Sequence, residues 1–418
     1  MSSPLLDTAR GASGATAASA AAYGRALAAY LCWHDGVEEQ LALALQESPG
    51  FVMAQVLQAY LRVCGRDPRR IQSTRPLLEH AAGLRANEQE RRHLAVIAAV
   101  LAGDYARATA GLDALLADDP HDLLALQVAN TFDYFIGEAK RLLGRVQAVL
   151  PAWSADQPGY AAVQVTQAFA LEECGEYGRA EDLARAVLES SPFDVRAHHV
   201  MAHVFEMTDR ADAGVRWMNE RAARLGPDLV FTTHCWWHLA LFHLTLGRLD
   251  RALALYDSFI RAGRSADIAD LIDAAALLWR VRLQGGDIGT RGIELTAAWA
   301  PHIGDGYCSF SDLHAMLAFV GAQDWTRAQR LEAALVASHS LPTRYGESTR
   351  LIGLPACRAL VAFGRGDTLR AITLLASLPA VAQRLGGSHA QRDVLHLTLL
   401  QAIEHIRRPA RSAASTLR

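Results

Sequence analysis

The sequence predicts an all-α fold, a solenoid of stacked helical hairpins, and three observations predict it. Ala, Leu, Arg and Glu, strong helix formers, dominate the 418 residues, and 51% of the chain is hydrophobic, ample for a continuous core. Alternating runs of Val, Ile and Thr, which mark half-buried strands, are nearly absent. A small set of glycines, aromatics and alanines returns at the same internal offsets, as in a repeat array.

Gly103, Tyr105, Ala108 and Pro120 make one such set, and Gly175, Tyr177, Ala180 and Pro192 repeat it. The glycine lets the chain reverse between helix A and helix B, and the small residue lets the two helices touch. Residues 137–149 supply a unit between these two. A weaker set, Thr208 with Ala213, precedes Gly247, Leu249, Ala252 and Tyr256. Trp325 with Ala328, then Gly366 with Ala371, continue the pattern. These are the offsets of a tetratricopeptide unit of about 34 residues. The uneven intervals between anchor alanines indicate a degenerate array, with lengthened connections around 263–270 and 285–292. The expectation is a right-handed superhelical solenoid of degenerate tetratricopeptide-type hairpins over residues 21–407, flanked by flexible tails at 1–20 and 408–418. One hairpin cannot bury its apolar stripe alone, so neighbours must stack, with helix A of each unit lining the concave side.

Composition removes several function classes. A formal net charge of -3 gives no basic footprint for nucleic acid. The six cysteines are widely spaced with no C-x-x-C, unlike a disulfide framework or structural zinc site. They fit small buried apolar residues in a reducing cytosol, and a cytoplasmic protein is expected. Asp7 precedes any apolar stretch, and no basic segment opens the chain as in a secretory signal. Residues 229–247 lack Asp, Glu, Lys and Arg, yet they carry His234, His238, His243 and three Thr. That reads as a buried helix of a soluble protein rather than a membrane span. There is no G-x-G-x-x-G after a strand, no P-loop and no G-x-S-x-G elbow. Nothing marks Cys235 as a nucleophile either, since an aromatic-rich helix raises a thiol pKa.

Five segments, in order, resemble the tetratricopeptide repeat protein 38 family, also called StaR-like. His198-His199-Val200-Met201-Ala202-His203-Val204-Phe205-Glu206-Met207 is similar to its A-H-x-x-A-H-x-x-E-M segment. His234-Cys235-Trp236-Trp237-His238-Leu239-Ala240-Leu241 is similar to its H-x-W-W-H-L-A-L segment. Leu277-Leu278-Trp279-Arg280, then Asp312 with His314, then Gly386-Gly387-Ser388-His389-Ala390-Gln391-Arg392-Asp393 follow in the family's order. The stretch 122–173, with Phe132-Asp133-Tyr134-Phe135 and Phe169-Ala170-Leu171-Glu172-Glu173, also looks like the family. The resemblance covers residues 25–405 and implies an all-α repeat protein, without implying a particular activity.

The side chains with chemistry to offer concentrate on A helices. His199 and His203 are an i, i+4 pair followed by Glu206, which stacks all three on one helix face. His234 and His238 repeat that spacing on the next A helix. The consensus register sets His199, His238 and His314 at the sixth position of their helices, with Asp270, Asp273 and Asp312 close enough in register to join them. Neutral imidazoles and carboxylates from stacked A helices can hold a divalent metal, for which His199, His203, His238 and His314 are the candidates, or serve as acid and base. Each can equally be an interhelix hydrogen-bonding residue, and H-x-x-x-H without the Glu of H-E-x-x-H is a loose motif. Trp236 takes the aromatic wedge position between helices, whereas Trp237 faces the groove, where it stacks on a ligand or covers an apolar floor. Glu172 and Glu173 diverge by about 100° on their helix and read as a solvated face. Ser388 and Gln391 form a capping box after a glycine turn, leaving His389, Arg392 and Asp393 to close the groove.

Two functions follow from this pattern. The first is a scaffold whose concave groove binds a peptide, a partner protein or a small ligand, the common use of such solenoids. The second is an enzyme, metal-dependent in one form, with a His/Asp/Glu-lined site inside the superhelix. No catalytic signature motif supports the enzyme, so the scaffold is the leading expectation.

Overall fold

The computed structural model describes residues 11–225 and 233–407, and every regular element among them is a helix. The chain falls into two compact units, Met1–Leu246 and Gly247–Arg418. The first contains α1 (Ala17–Cys32), α2 (Val37–Glu47), α3 (Val52–Val63), α4 (Pro68–Gln72), α5 (Arg75–Ala82), α6 (Glu88–Leu101), α7 (Tyr105–Asp118), α8 (Leu123–Ile136), α9 (Ala139–Val149), α10 (Tyr160–Glu173), α11 (Tyr177–Ser190), α12 (Val195–Met207), α13 (Ala211–Leu225) and α14 (Thr233–Thr245). The second contains α15 (Leu249–Leu255), α16 (Ile268–Leu283), α17 (Arg291–Trp299), α18 (Ser309–Gly321), α19 (Trp325–Ser338), α20 (Arg344–Ser348), α21 (Leu354–Gly364), α22 (Thr368–Leu375), α23 (His389–Arg392) and α24 (Val394–Arg407).

In the first unit α6–α7, α8–α9, α10–α11 and α12–α13 pair as hairpins, and the A helices α8, α10, α12 and α14 pack one on the next. In the second, α16–α17, α18–α19 and α21–α22 are hairpins, and α24 packs against α16, α21 and α22. The ends of the expected tails, residues 1–10 and 408–418, lie outside the described residues, and the first helix already begins at Ala17.

One local device builds the array. Each A helix ends in a left-handed residue: Gly103, Gly137, Gly175 and Asp209 in the first unit, Gly285, Gln323 and Gly366 in the second. The next N–H folds back on the last turn, as from Glu138 to the Asp133 carbonyl, Glu176 to Leu171 and Arg210 to Phe205, each at 2.9 Å. This closes orphan carbonyls and reverses the chain in a fixed geometry. In three hairpins helix B then starts on an aspartate cap: Asp104, Asp324 and Asp367 accept from the backbone N–H groups of Arg107, Arg327 and Arg370. The anchors Ala108, Ala180, Ala252, Ala328 and Ala371 are all buried, as a close A–B contact requires.

The weaker unit is displaced by one residue from its expected register. Asp209, not Thr208, is the left-handed residue, and Gly214, not Ala213, is the small anchor. A Cβ on Gly214 would stand 2.5 Å from the Phe242 ring, so nothing larger than hydrogen fits there. The long interval before Ala328 also holds more than connections, because α16 and α17 form a full hairpin there. Residues 229–232 lie outside the described residues; the rest of that charge-free stretch is α14 and the turn at Leu246 and Gly247 that follows it. Among the described residues no helix is long and apolar enough to cross a membrane. No disulfide joins any of the six cysteines; Cys235 and Cys357 are buried, but Cys32, Cys64, Cys174 and Cys308 are only half-buried, against the expectation of six core thiols.

Substitution Gly214→Val should lower stability by about 1–3 kcal/mol through overpacking against the immobile Phe242 ring. Gly144→Ala, which meets no atom within 4 Å, should be neutral or stabilise by about 0.5–1 kcal/mol. Urea denaturation of both variants checks the pair.

Candidate metal centre

The site is built by α10, α12 and α14, three successive A helices. Asp194 caps α12, its carboxylate accepting the Ala197 N–H at 3.0 Å, and sets where the helix starts. Helical spacing then brings His199, His203 and Glu206 to one face, and α14 presents His234 and His238. His199 is 4% exposed, His203 and His238 are 0%, and His234 is half-buried. One ring nitrogen from each of these four lies within 4.8 Å of the others. The His199–His203 centroids are 4.3 Å apart, His203–His238 4.5 Å and His234–His238 4.8 Å.

Carboxylates back two of the rings. His238 Nδ1 stands 2.9 Å from Glu206 Oε2, and His203 Nδ1 stands 3.3 Å from Glu172 Oε2. With a proton on each Nδ1, the Nε2 atoms carry the lone pairs a metal would take. His203 Nε2 meets His199 Nε2 at 2.9 Å. Burial, then the neighbouring His203 and His234, then Arg196, hold the His199 pKa well below the ordinary histidine value. Its imidazole is therefore neutral at pH 7, the form that binds metal.

Aromatic rings enclose the cluster. Trp237 stacks on His234 at 5.2 Å with planes 12° apart and meets His238 edge-on at 5.0 Å. Phe169 of α10 lies 6.0 Å from both His199 and His203. Trp33, at the end of α1, lies 5.1 Å from His199. Trp33 has φ 58, a left-handed conformation costly for a bulky residue. The segment around it is pinned to the start of α12: Arg196 donates to the Leu31 carbonyl at 3.1 Å and to Thr166 Oγ1 at 3.0 Å, and His34 Nε2 donates to the Phe193 carbonyl at 2.6 Å.

Three expectations need correction. Glu172 and Glu173 are not a solvated face: they are 0% and 6% exposed and form a second ligand-type group with His203. Trp237, not Trp236, is the fully buried wedge, while Trp236 is half-buried, because α14 is turned so that Trp237 packs between His234 and His238. His199 falls at the fifth position of its helix once Asp209 is taken as the turn residue, yet its ring still meets His238, at 5.3 Å. Sequence reasoning also missed Trp33, Phe169 and Arg196. Glu172 had a readable signal: it precedes its left-handed Gly175 by the same three residues that separate Glu206 from Asp209.

No protein-family model matches the chain. Among solved structures it is similar to the hetero-tetramer Cut9–Hcn1 of the APC/C, at 14% identity over 91% of this chain and 76% of that one, with a TM-score of 0.42. It is also similar to yeast Tom70, at 10% identity over 93% and 88%, with a TM-score of 0.43. The human IFIT1 dimer with m7Gppp-AAAA matches at 12% identity over 86% and 83%, with a TM-score of 0.40. Likenesses this distant carry no argument about what this chain binds or does.

The remaining predicted site residues lie in the second unit. His314 is fully buried on α18, its Nδ1 donating to the Phe310 carbonyl at 2.7 Å. Asp273 of α16 accepts from Gln391 Nε2 at 3.3 Å. The Ser388–Gln391 capping box forms as expected, with Gly386 and Gly387 both left-handed before it. Arg392 turns back to the Gly387 carbonyl, and half-buried His389 opens the short helix α23. Arg280 binds Asp393 and the Ala390 carbonyl, so the Leu277–Arg280 and Gly386–Asp393 motifs are two halves of one contact.

Asp312 accepts the Tyr345 hydroxyl at 2.9 Å, and burial pushes its pKa up to about 7, with Asp305 adding to the rise. A carboxyl raised this far binds its proton more tightly folded than unfolded. The contribution of Asp312 to stability should therefore be fully present below about pH 4 and lost as pH rises through about 7, a change on the order of 4 kcal/mol. Asp312→Asn should remove that contribution, so the stability difference between wild type and variant should change with pH by this amount in urea melts of both proteins at pH 4, 5.5 and 7.

Proposed function

We propose that this chain is a helical-repeat protein that holds one divalent transition-metal ion between α12 and α14, on His199, His203, His234 and His238. The observation that carries the reading is the convergence of four imidazoles, two of them backed by carboxylates. All-nitrogen donors suit zinc-class ions, which take tetrahedral ligands at about 2.0–2.1 Å. Glu172 and Glu206 would orient the rings and offset the ion's charge. His314 was a metal candidate by register, and the two ligand-type groups found among the described residues both lie in the first unit.

Burial argues for an ion over a peptide at this place. An extended peptide needs an open trough, whereas His199, His203 and His238 are at most 4% exposed. The scaffold expectation is thereby narrowed rather than replaced, since the hairpin surfaces elsewhere can still engage a partner. The enzymatic alternative uses the same atoms: a bound ion would acidify a water, with half-buried His234 the ligand nearest solvent. The ordered motifs support membership of the tetratricopeptide repeat protein 38 family, and six cysteines without a disulfide fit a reducing cytoplasm.

Elemental analysis of tag-free protein should find close to one equivalent of zinc-class metal. His199→Ala and His238→Ala should each weaken zinc binding by about two orders of magnitude, and Glu206→Gln by about 10–100-fold. Zinc at 100 times its Kd should add about 2.7 kcal/mol to wild-type stability. Trace metal only, with melting unchanged by added zinc, would remove the proposal.

A further inference from the structure

His203 belongs to two ligand-type groups at once. With His199, His234 and His238 it makes the four-imidazole group; with Glu172 and Glu173 it makes a second, all three residues buried. Its two nitrogens face different ways, Nε2 toward His199 at 2.9 Å and Nδ1 toward Glu172 at 3.3 Å.

A neutral imidazole has one lone pair available to a metal and one N–H, on opposite nitrogens. If Nε2 is the ligand, the proton sits on Nδ1, which faces Glu172 Oε2 at 3.3 Å. If Nδ1 is the ligand, the proton sits on Nε2 and is donated to His199. The second arrangement uses the hydrogen-bond contact to His199 already in place, the first faces the proton toward Glu172 Oε2 at ion-pair distance, and each closes the other.

We propose that His203 makes these groups alternative seats for a single divalent ion. The imidazole seat takes a borderline ion such as Zn2+; the Glu172–Glu173–His203 seat takes a harder one such as Mn2+. The two seats differ in charge as well as hardness. Four neutral rings leave an ion's charge to be offset by Glu206 and Glu172 from outside the coordination shell. In the second seat two carboxylates would neutralise it directly, as hard cations prefer. No ion has to cross the protein to change seats, because the side chains meet at one ring.

This inference rests on the metal-binding reading above, and the experiment separates the two. Metal-stripped full-length protein is titrated with Zn2+ by calorimetry and with Mn2+ by electron paramagnetic resonance, then Mn2+-loaded protein is titrated with Zn2+. Each metal should bind at about one equivalent, and Zn2+ should release Mn2+ stoichiometrically. Glu173→Gln, close to isosteric, should weaken Mn2+ by about 10-fold or more and change Zn2+ by less than about 3-fold. His238→Ala should do the reverse, with circular dichroism confirming that both variants fold. A Zn2+-loaded protein that still binds a full equivalent of Mn2+ overturns the alternation, as does a Glu173→Gln variant weakened equally for both ions. A wild-type protein that takes up no Zn2+ removes the imidazole seat and the proposed function together.

Discussion

The structure of each unit depends on how its A helices stop. A left-handed residue, followed by an N–H bonded back to the helix, gives every hairpin the same exit direction. Gly103, Gly137 and Gly175 adopt it freely, whereas Asp209 and Gln323 adopt it at a cost that neighbouring packing must offset. Because the exits match, A helices stack with equivalent positions adjacent, and side chains some 30 residues apart in sequence become ring-to-ring neighbours. His199, at the fifth position, and His234, about one helical turn earlier at the second, meet at 4.9 Å across that stack.

The same constraint explains the carboxylates. Glu172 and Glu206 hold one repeat position, so each reaches the histidine of the helix that follows: Glu172 to His203, Glu206 to His238. The carboxylates recur with the repeat, whereas their partners do not: His203 stands six residues before Asp209 and His238 nine before Gly247. In a low-dielectric interior such pairs orient rings and choose tautomers more strongly than they would in water.

The start of the first unit contributes from an unexpected direction. The end of α1 reaches α12 through the Arg196–Leu31 and His34–Phe193 hydrogen bonds, and Trp33 covers His199. Buried Arg196 is satisfied there by a carbonyl and a hydroxyl, while burial lowers its pKa and its partner Asp194 opposes that shift. An aromatic residue kept in a left-handed conformation at this contact indicates that tertiary packing, rather than local preference, determines its backbone.

Much of the fold was legible in the residues alone, because its determinants are local. Gly175 with Ala180 and Gly366 with Ala371 mark a helix end and a close contact wherever they occur, and Ser388 with Gln391 announces its own cap. The unit at Asp209 and Gly214 lies one residue beyond the Thr208–Ala213 pattern, since neither the turn nor the anchor there uses the usual residue. The histidine pairs on α12 and α14 were likewise visible as i, i+4 spacing. What the sequence could not decide was which faces are turned inward and what reaches them from elsewhere. Glu172 and Glu173 looked solvated, and Trp33 and Arg196 carried no signal, because burial and long-range contact depend on how helices rotate and stack. Helix identity and turn chemistry are written in a few adjacent residues; a tautomer-setting carboxylate or a covering indole is supplied only once the hairpins have packed.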